Sequence, residues 1–147
     1  NLNNISLKVL DGDTLRQNFS KNLGYSQKDR QQHNLRVAKM AHEIYKTGTP
    51  VCVALISPYL EIRKKIKDSY ENVLEVYLNC NLETCKQRDT KGMYKKALKG
   101  GIKNFTGVDA PYEKPENPEI AVQTGKYNTK NCADQIITYL RDNSFIE

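Results

Sequence analysis

The sequence predicts an α/β fold in which helices cover both faces of a parallel sheet. Residues 51–56 (VCVALI) and 73–78 form continuous apolar runs, which are typical of strands that are buried on both faces. Stretches with a helical spacing of apolar residues separate these runs along the chain. This alternation favours parallel strands joined by right-handed crossovers. The 147 residues have the length of a single domain, which we assign to residues 1–147.

The N-terminal part of the chain contains the first predicted strand and the longest predicted helix. Residues 6–10 form the strand, which ends in a DGD turn at residues 11–13. The helix covers residues 27–47, because apolar side chains recur along it at helical spacing. Ser26 and Asp29 give this helix a capping-box-like start, in which each side chain satisfies groups of the other residue.

The rest of the chain alternates in the same way around one irregular segment. Ser57 begins a helix that runs to about Tyr70, and its hydroxyl is predicted to cap that helix beside Pro58. Residues 89–118 are rich in Lys, Gly and Pro and hold little core material, so we expect them to form a mobile flap. The remaining predicted elements are a short helix, a strand and an amphipathic helix at residues 82–88, 120–124 and 131–143.

Positive charge is concentrated in that flap. The formal net charge of the chain is +6, and no acidic residue lies between Asp89 and Asp109. The lysines in this interval are Lys91, Lys95, Lys96, Lys99 and Lys103. A block of one sign either attracts a polyanion, such as a nucleotide or a nucleic acid, or is a solvated helix face.

The cysteines and the hydropathy of the chain indicate a cytoplasmic setting. The four cysteines form no C-x-x-C pair, and we expect all of them to be reduced thiols in or near the core. They are Cys52, Cys80, Cys85 and Cys132. No apolar run approaches the roughly 20 residues that cross a bilayer, so we expect no association with a membrane.

Polar side chains follow the ends of the predicted strands, where parallel sheets bind their ligands. Asp11 and Asp13 follow the first strand, and such a pair of carboxylates can hold Mg²⁺ through water or orient a hydroxyl for phosphoryl transfer. The same residue types are also common in simple turns. Arg30, His33 and Asn34 share one face of the long helix near its start, which is either an anion site or an ordinary exposed surface.

Five motifs in a fixed order carry a resemblance to a known family. They are L-D-G-D-x-x-R (10–16), L-G-Y-S-x-x-D-R (23–30), I-S-P-Y-x-x-x-R (56–63), C-x-x-R-D-x-K-G-x-Y-K-K-A (85–97) and I-K-N-F-T-G-V-D-x-P-Y-E-x-P (102–115). Together they closely resemble adenylylsulfate kinases, from about Val9 to the C-terminal helix. The resemblance implies a P-loop kinase-like three-layer sandwich with a mobile lysine-rich lid at about residues 89–118.

The resemblance also implies an activity, its co-substrates and its partners. Adenylylsulfate kinases transfer the γ-phosphoryl group of ATP to the 3′-hydroxyl of adenosine 5′-phosphosulfate, which gives 3′-phosphoadenylyl sulfate for sulfate assimilation. ATP and Mg²⁺, and not nucleic acid, are therefore the expected ligands beside the sulfonucleotide. We further expect a homodimer and an association with ATP sulfurylase, by fusion or otherwise.

Several residues on the substrate side match positions with known roles in that family. Asp13 matches the aspartate near the transferred phosphoryl group, and Ser57 matches a serine that contacts the substrate and is a phosphoserine intermediate in some members. Tyr25, where the family usually has Phe, and Phe105 would sandwich the substrate adenine. The other substrate contacts that the resemblance implies are Arg16, Arg30, Ile56, Lys91 and Asn104.

One predicted substrate contact departs from the family pattern. The family motif D-R-x-x-N is DRQQH here, with Asn34 one place later, so either His33 or Asn34 would make that contact. Arg88 resembles the lid arginine that lies against the ATP adenine. Lys95 and Lys96 would face the phosphates when the lid closes and expels water.

The phosphate-binding loop of the family is a second departure. No G-x-x-x-x-G-K-[ST] pattern occurs in the 147 residues. We expect the first strand and this loop to precede Asn1, and the 147 residues by themselves to be a poor kinase. The alternative is a non-catalytic module of a sulfurylase-type protein that binds the sulfonucleotide as an allosteric effector. Asp13, Ser57 and the lysine-bearing lid favour the kinase, because a decayed enzyme does not need phosphoryl-transfer groups.

Overall fold

The strands of the protein form two parallel pairs in a computed structural model that describes residues 6–146. Strand β1 (Lys8–Asp11) pairs with β2 (Val51–Ala54), and β3 (Val76–Asn79) pairs with β4 (Ile120–Gln123). Each strand is connected to its partner through at least one helix. The predicted α/β class with parallel strands is therefore confirmed.

The helices of the described chain are α1 (Gly12–Asn18), α2 (Gln27–Tyr45), α3 (Leu60–Ser69), α4 (Leu82–Arg88), α5 (Met93–Leu98) and α6 (Thr129–Asp142). The predicted start of α2 is confirmed, because the Ser26 hydroxyl accepts a bond from the Asp29 N–H at 3.2 Å and donates to the Asp29 carboxylate at 2.7 Å. Two of these helices, α1 and α5, were not predicted.

Helix α1 begins within the segment that the sequence suggested was a turn. Asp11 is its N-cap, since Oδ1 accepts from the backbone N–H of Thr14 at 2.9 Å and from the Thr14 hydroxyl at 2.7 Å. Gly12 is the first helical residue and lies against the end of β2. A Cβ atom there would lie 2.4 Å from a methyl carbon of Leu55 and 2.9 Å from the Ala54 carbonyl oxygen. Only glycine fits this close approach without a shift of its neighbours.

The start of α3 also differs from the prediction. The helix begins at Leu60, and Tyr59 occupies the N-cap without a side-chain capping bond, so the predicted capping role of Ser57 is wrong. Ser57 has a φ of 41°, in the left-handed region. The physical reason is that an N-cap residue needs an extended backbone, which Ser57 does not have, and its hydroxyl accepts a hydrogen bond from Asn34 instead.

The predicted flap contains regular structure. Helix α5 lies within it, and the Asp89 carboxylate accepts bonds from the backbone N–H groups of Tyr94 and Lys95, each at 3.0 Å. Ala97 and Thr106 in this segment are buried. The segment is therefore not irregular throughout, its two buried residues agree with the expectation of little core material, and its mobility stays a prediction.

Burial of the strands is lower than the apolar runs suggested. Helix α2 packs against β2 and α6 packs against β4, so each strand pair has a helix on one face. Among the described residues Val9 remains 60% exposed, and Val53 and Leu78 are also exposed. Cys52 is exposed, so its predicted place in or near the core is wrong, although it and the other cysteines are free thiols as expected.

The described chain divides into two compact units. The N-terminal unit comprises the residues up to Glu71 together with Pro111–Glu113, and its core includes Leu10, Val37 and Ile62. The C-terminal unit comprises the other residues, and its core includes Val122. A single domain with a lid over residues 89–118 stays a prediction. Within residues 6–146, no helix has the length and apolar character that a membrane span requires.

Candidate active site

The polar residues of the N-terminal unit gather where β1 and β2 end. The two strands are parallel, and Asp11 lies opposite Ala54 in their register, so the residues that follow them emerge at the same edge. Asp13 follows β1 in the first turn of α1 and is exposed. Ser57 follows β2 and is half-buried. The predicted location of these two side chains is confirmed.

Asn34 fixes the hydroxyl group of Ser57. The buried side chain of Asn34 donates a hydrogen bond from Nδ2 to Ser57 Oγ at 2.9 Å. Because Oγ accepts this bond, its own hydrogen is available to donate in another direction. An amide is not a base, so Asn34 orients the serine hydroxyl but cannot take its proton.

His33 is a buried side chain whose hydrogen bonds are not satisfied by the protein. It is 2% exposed, and neither ring nitrogen has a hydrogen-bond partner among the described residues. Burial, and then the positive charge of Arg16, lower the pKa of His33 below its usual value, although an interaction with the Gly12 backbone, which does not reach the geometry of a full hydrogen bond, acts in the opposite direction. The imidazole is therefore neutral at neutral pH, with one donor and one acceptor to offer.

Tyr25 presents an exposed ring beside two guanidinium groups. The ring is 52% exposed, and the central guanidinium carbons of Arg16 and Arg30 lie 4.9 Å and 5.4 Å from its centroid. Arg16 Nη1 donates to the Gly24 carbonyl at 2.7 Å, and Arg30 Nε donates to the Tyr25 carbonyl at 3.2 Å. These contacts place a flat aromatic surface next to positive charge, as an adenine nucleotide requires.

In the C-terminal unit, Phe105 lies in a tightly bonded turn. Its ring contacts Tyr94 edge-on with centroids 5.0 Å apart. The Asp109 carboxylate accepts bonds from the backbone N–H groups of Asn104 at 2.8 Å and of Phe105 at 2.5 Å. Tyr25 and Phe105 belong to different units, so their joint stacking on an adenine stays a prediction.

The positively charged candidates on the ATP side also belong to the C-terminal unit. Arg88 donates a hydrogen bond from Nη2 to the Thr124 carbonyl at 2.8 Å, which fixes its guanidinium group. Lys91, Lys95 and Lys96 are exposed. Such lysines can meet a phosphate without first being released from the core.

The fit of a magnesium ion rests on the carboxylates after β1. Among residues 6–146, no cluster of three or more Asp, Glu, His or Cys side chains forms a metal site. Asp11 Oδ1 already caps α1. The exposed carboxylate of Asp13 therefore suits an ion that is held mainly by water and by phosphate oxygens.

Two residues of the N-terminal unit were given no role by the sequence. Arg63 donates to the Ser57 carbonyl at 2.6 Å, and the Glu113 carboxylate accepts from the Leu60 N–H at 2.6 Å. Both residues stand inside the quoted motifs, at the end of I-S-P-Y-x-x-x-R and in P-Y-E-x-P. The signal for them was thus present in the sequence.

Comparisons with known proteins identify the family of the chain. The profile of the adenylylsulphate kinase family matches residues 1–123. An adenylyl-sulfate kinase of Bacillus licheniformis is 43% identical over 136 residues, which make up 91% of this chain and 69% of that protein. A probable bifunctional SAT/APS kinase of Sorangium cellulosum is 41% identical over 97% of this chain and 24% of that protein.

A solved structure supports the same relationship. The Mycobacterium tuberculosis APS kinase CysC, determined in complex with AMPPNP and APS, superposes with a TM-score of 0.87 and is 36% identical. The match covers 93% of this chain and 81% of that one. The parallel strands flanked by helices are those of a P-loop kinase, and the chain belongs to the adenylylsulfate kinase family.

Proposed function

We propose that the protein transfers the γ-phosphoryl group of ATP to the 3′-hydroxyl of adenosine 5′-phosphosulfate, and that its N-terminal unit holds the sulfonucleotide. The observation that carries this proposal is the cluster at the ends of β1 and β2, where an exposed carboxylate and an oriented serine hydroxyl follow neighbouring strands. Phosphoryl transfer depends mainly on positioning and on electrostatic stabilisation, which such a cluster can supply.

The substrate contacts follow from the chemistry of each side chain. Arg16 and Arg30 bind phosphate or sulfate oxygens, since the planar guanidinium group presents pairs of N–H donors that match two anionic oxygens. Tyr25 and Phe105 are the aromatic residues that stack on the adenine in this proposal. The unsatisfied imidazole of His33 bonds the substrate directly, whereas Asn34 acts through Ser57. Ile56, which is exposed, lies along the nucleotide.

Asp13 and Ser57 serve the reacting groups. Asp13 accepts the hydrogen bond of the attacking 3′-hydroxyl and takes its proton, while the new bond to the γ-phosphorus forms and the bond from that phosphorus to the bridging oxygen breaks to release ADP. Ser57 donates its hydroxyl hydrogen to an oxygen of the substrate. A positioning role suits Ser57 better than a phosphoserine intermediate, because the partner of its Oγ atom is an amide donor and not a base.

The ATP side is assigned to the lysine-rich lid. Arg88 lies along the ATP adenine, Lys95 and Lys96 face its phosphates, and Lys91 and Asn104 complete the contacts to the sulfonucleotide. When bound, Mg²⁺ would offset the charge of the phosphates, and Asp13 is the residue that would hold it through water. A homodimer is part of the proposal, and the bifunctional relative supports an association with ATP sulfurylase.

Asp13→Asn tests the proposal, because it keeps the shape of the side chain and removes its charge. We expect turnover to fall by roughly 10²- to 10⁴-fold, the range for a positioned acid or base, while the affinity for adenosine 5′-phosphosulfate changes far less. The matched control is Asp68→Asn, which removes an exposed carboxylate that pairs with Lys64 on α3 at 2.8 Å. Near-normal turnover of Asp13→Asn would show that the Asp13 carboxylate has no role in phosphoryl transfer and is only a turn residue.

A further inference from the structure

Arg63 and Glu113 form a hydrogen-bonded bracket around residues 57–60. Arg63 is 9% exposed, and its two terminal nitrogens donate to the Ser57 carbonyl at 2.6 Å and to the Glu113 carbonyl at 2.5 Å. Glu113 in turn donates its N–H to the Pro58 carbonyl at 2.8 Å and accepts from the Leu60 N–H at 2.6 Å. Three of these four bonds tie residues 58–63 to Glu113, about 50 residues away along the chain.

The bracket acts on a backbone conformation that serine does not favour. Ser57 has a φ of 41°, and a non-glycine residue remains in the left-handed region only when its surroundings hold it there. Arg63 fixes the direction of the Ser57 carbonyl, and Asn34 fixes the hydroxyl at 2.9 Å. Rotation of the backbone at Ser57 would break at least one of these two bonds.

The planar fork of Arg63 is needed for this geometry. Its two nitrogens reach two carbonyl groups that belong to different segments, and its central carbon lies 5.7 Å from the Tyr112 ring centroid. A lysine at this place would carry the same charge but would lack the rigid pair of donors. Arg63→Lys therefore distinguishes a purely electrostatic role of residue 63, which lysine would keep, from a positioning role, which lysine would lose.

We propose that Arg63 and Glu113 are positioning residues for phosphoryl transfer, which hold Ser57 in its left-handed conformation so that its hydroxyl points at the substrate. This inference rests on the proposed function, because the hydroxyl matters only if Ser57 contacts the sulfonucleotide. Glu113 stands within the segment predicted as the lid, yet it belongs to the N-terminal unit. The bracket therefore connects the end of the lid sequence to the site loop.

A double-mutant cycle on turnover tests the proposal. In the otherwise unchanged protein, Arg63→Lys should lower kcat by about tenfold while the dissociation constant of adenosine 5′-phosphosulfate changes by less than about threefold. In a Ser57→Ala background the same change should alter kcat by less than about twofold, because the hydroxyl through which Arg63 acts is gone. Lys64→Met, next to Arg63 and exposed, is the control that should leave kcat unchanged.

A second pair of variants covers the case in which Arg63→Lys does not fold, as judged by thermal unfolding. Glu113→Ala removes the acceptor for the Leu60 N–H, whereas Glu113→Gln keeps an oxygen there, so the glutamine variant should retain more turnover. Equal effects of Arg63→Lys, or of Glu113→Ala, with and without the Ser57 hydroxyl would overturn the proposal. If the unsubstituted protein, with the expected phosphate-binding loop present, makes no 3′-phosphorylated product at all, the proposed function itself fails instead.

Discussion

Replacement of Gly12 by alanine is expected to displace the start of α1 and with it Asp13. The added Cβ atom would lie 2.4 Å from a Leu55 methyl carbon and 2.9 Å from the Ala54 carbonyl oxygen. The leucine side chain can rotate away, but the carbonyl oxygen belongs to the backbone of β2 and cannot. Helix α1 must therefore move by several tenths of an ångström.

The magnitude of this effect follows from the cost of overpacking. Insertion of one methyl group into a filled site costs about 1–3 kcal/mol, which is the expected loss in the free energy of unfolding. Turnover should fall further than stability alone explains, because Asp13 is the next residue and its carboxylate moves with the helix.

Urea denaturation and steady-state turnover measure the two effects. Gly125→Ala is the matched control, since its added Cβ would lie 3.6 Å from Cys80 Sγ, an ordinary contact distance. A Gly12→Ala protein that is as stable and as active as Gly125→Ala would refute the close approach of α1 to β2.

Three further predictions concern the substrate, the lid and the buried His33. Phe105→Ala should weaken adenosine 5′-phosphosulfate binding about tenfold in calorimetry, through the loss of roughly 1–3 kcal/mol of stacking, and unchanged affinity would remove Phe105 from the site. Hydrogen exchange in residues 89–118 should slow when both nucleotides are added, and equal rates would contradict a lid. The pKa of His33 is lowered in the folded state, so its contribution to stability is fully present above pH 6.5 and is lost as the pH falls below 6.5 through the lower pKa of the folded state. His33→Asn should reduce the loss of unfolding temperature as the pH falls below 6.5. An unchanged loss would exclude His33 as its origin.

Local signals in the sequence predicted the long helix and the strand ends well. Helix α2 carries both an apolar repeat and the Ser26–Asp29 capping box, and each is confirmed. Helices α1 and α5, with seven and six residues, are too short to show such a repeat. Their starts depend on the carboxylates of Asp11 and Asp89, which a sequence pattern also allows in turns.

The site was predicted as a set of residues but not as an arrangement. Asp13 and Ser57 were expected at the strand ends and lie there. The conformation of Ser57 could not be predicted, because it depends on Arg63 and on the distant Glu113. Exposure of β2 was missed because an apolar run predicts burial without identifying the element that covers it.

The central claim is that adenosine 5′-phosphosulfate is phosphorylated on its 3′-hydroxyl by this protein. The most direct measurement is chromatographic analysis of the reaction of γ-labelled ATP with adenosine 5′-phosphosulfate, catalysed by a protein that includes the expected phosphate-binding loop and run in parallel with the 3′-deoxy analogue of the nucleotide. We expect labelled 3′-phosphoadenylyl sulfate from the natural nucleotide, and tight binding without any product from the 3′-deoxy analogue. Tight binding of both nucleotides without product from either would contradict the proposed kinase activity and would indicate a non-catalytic sulfonucleotide-binding module.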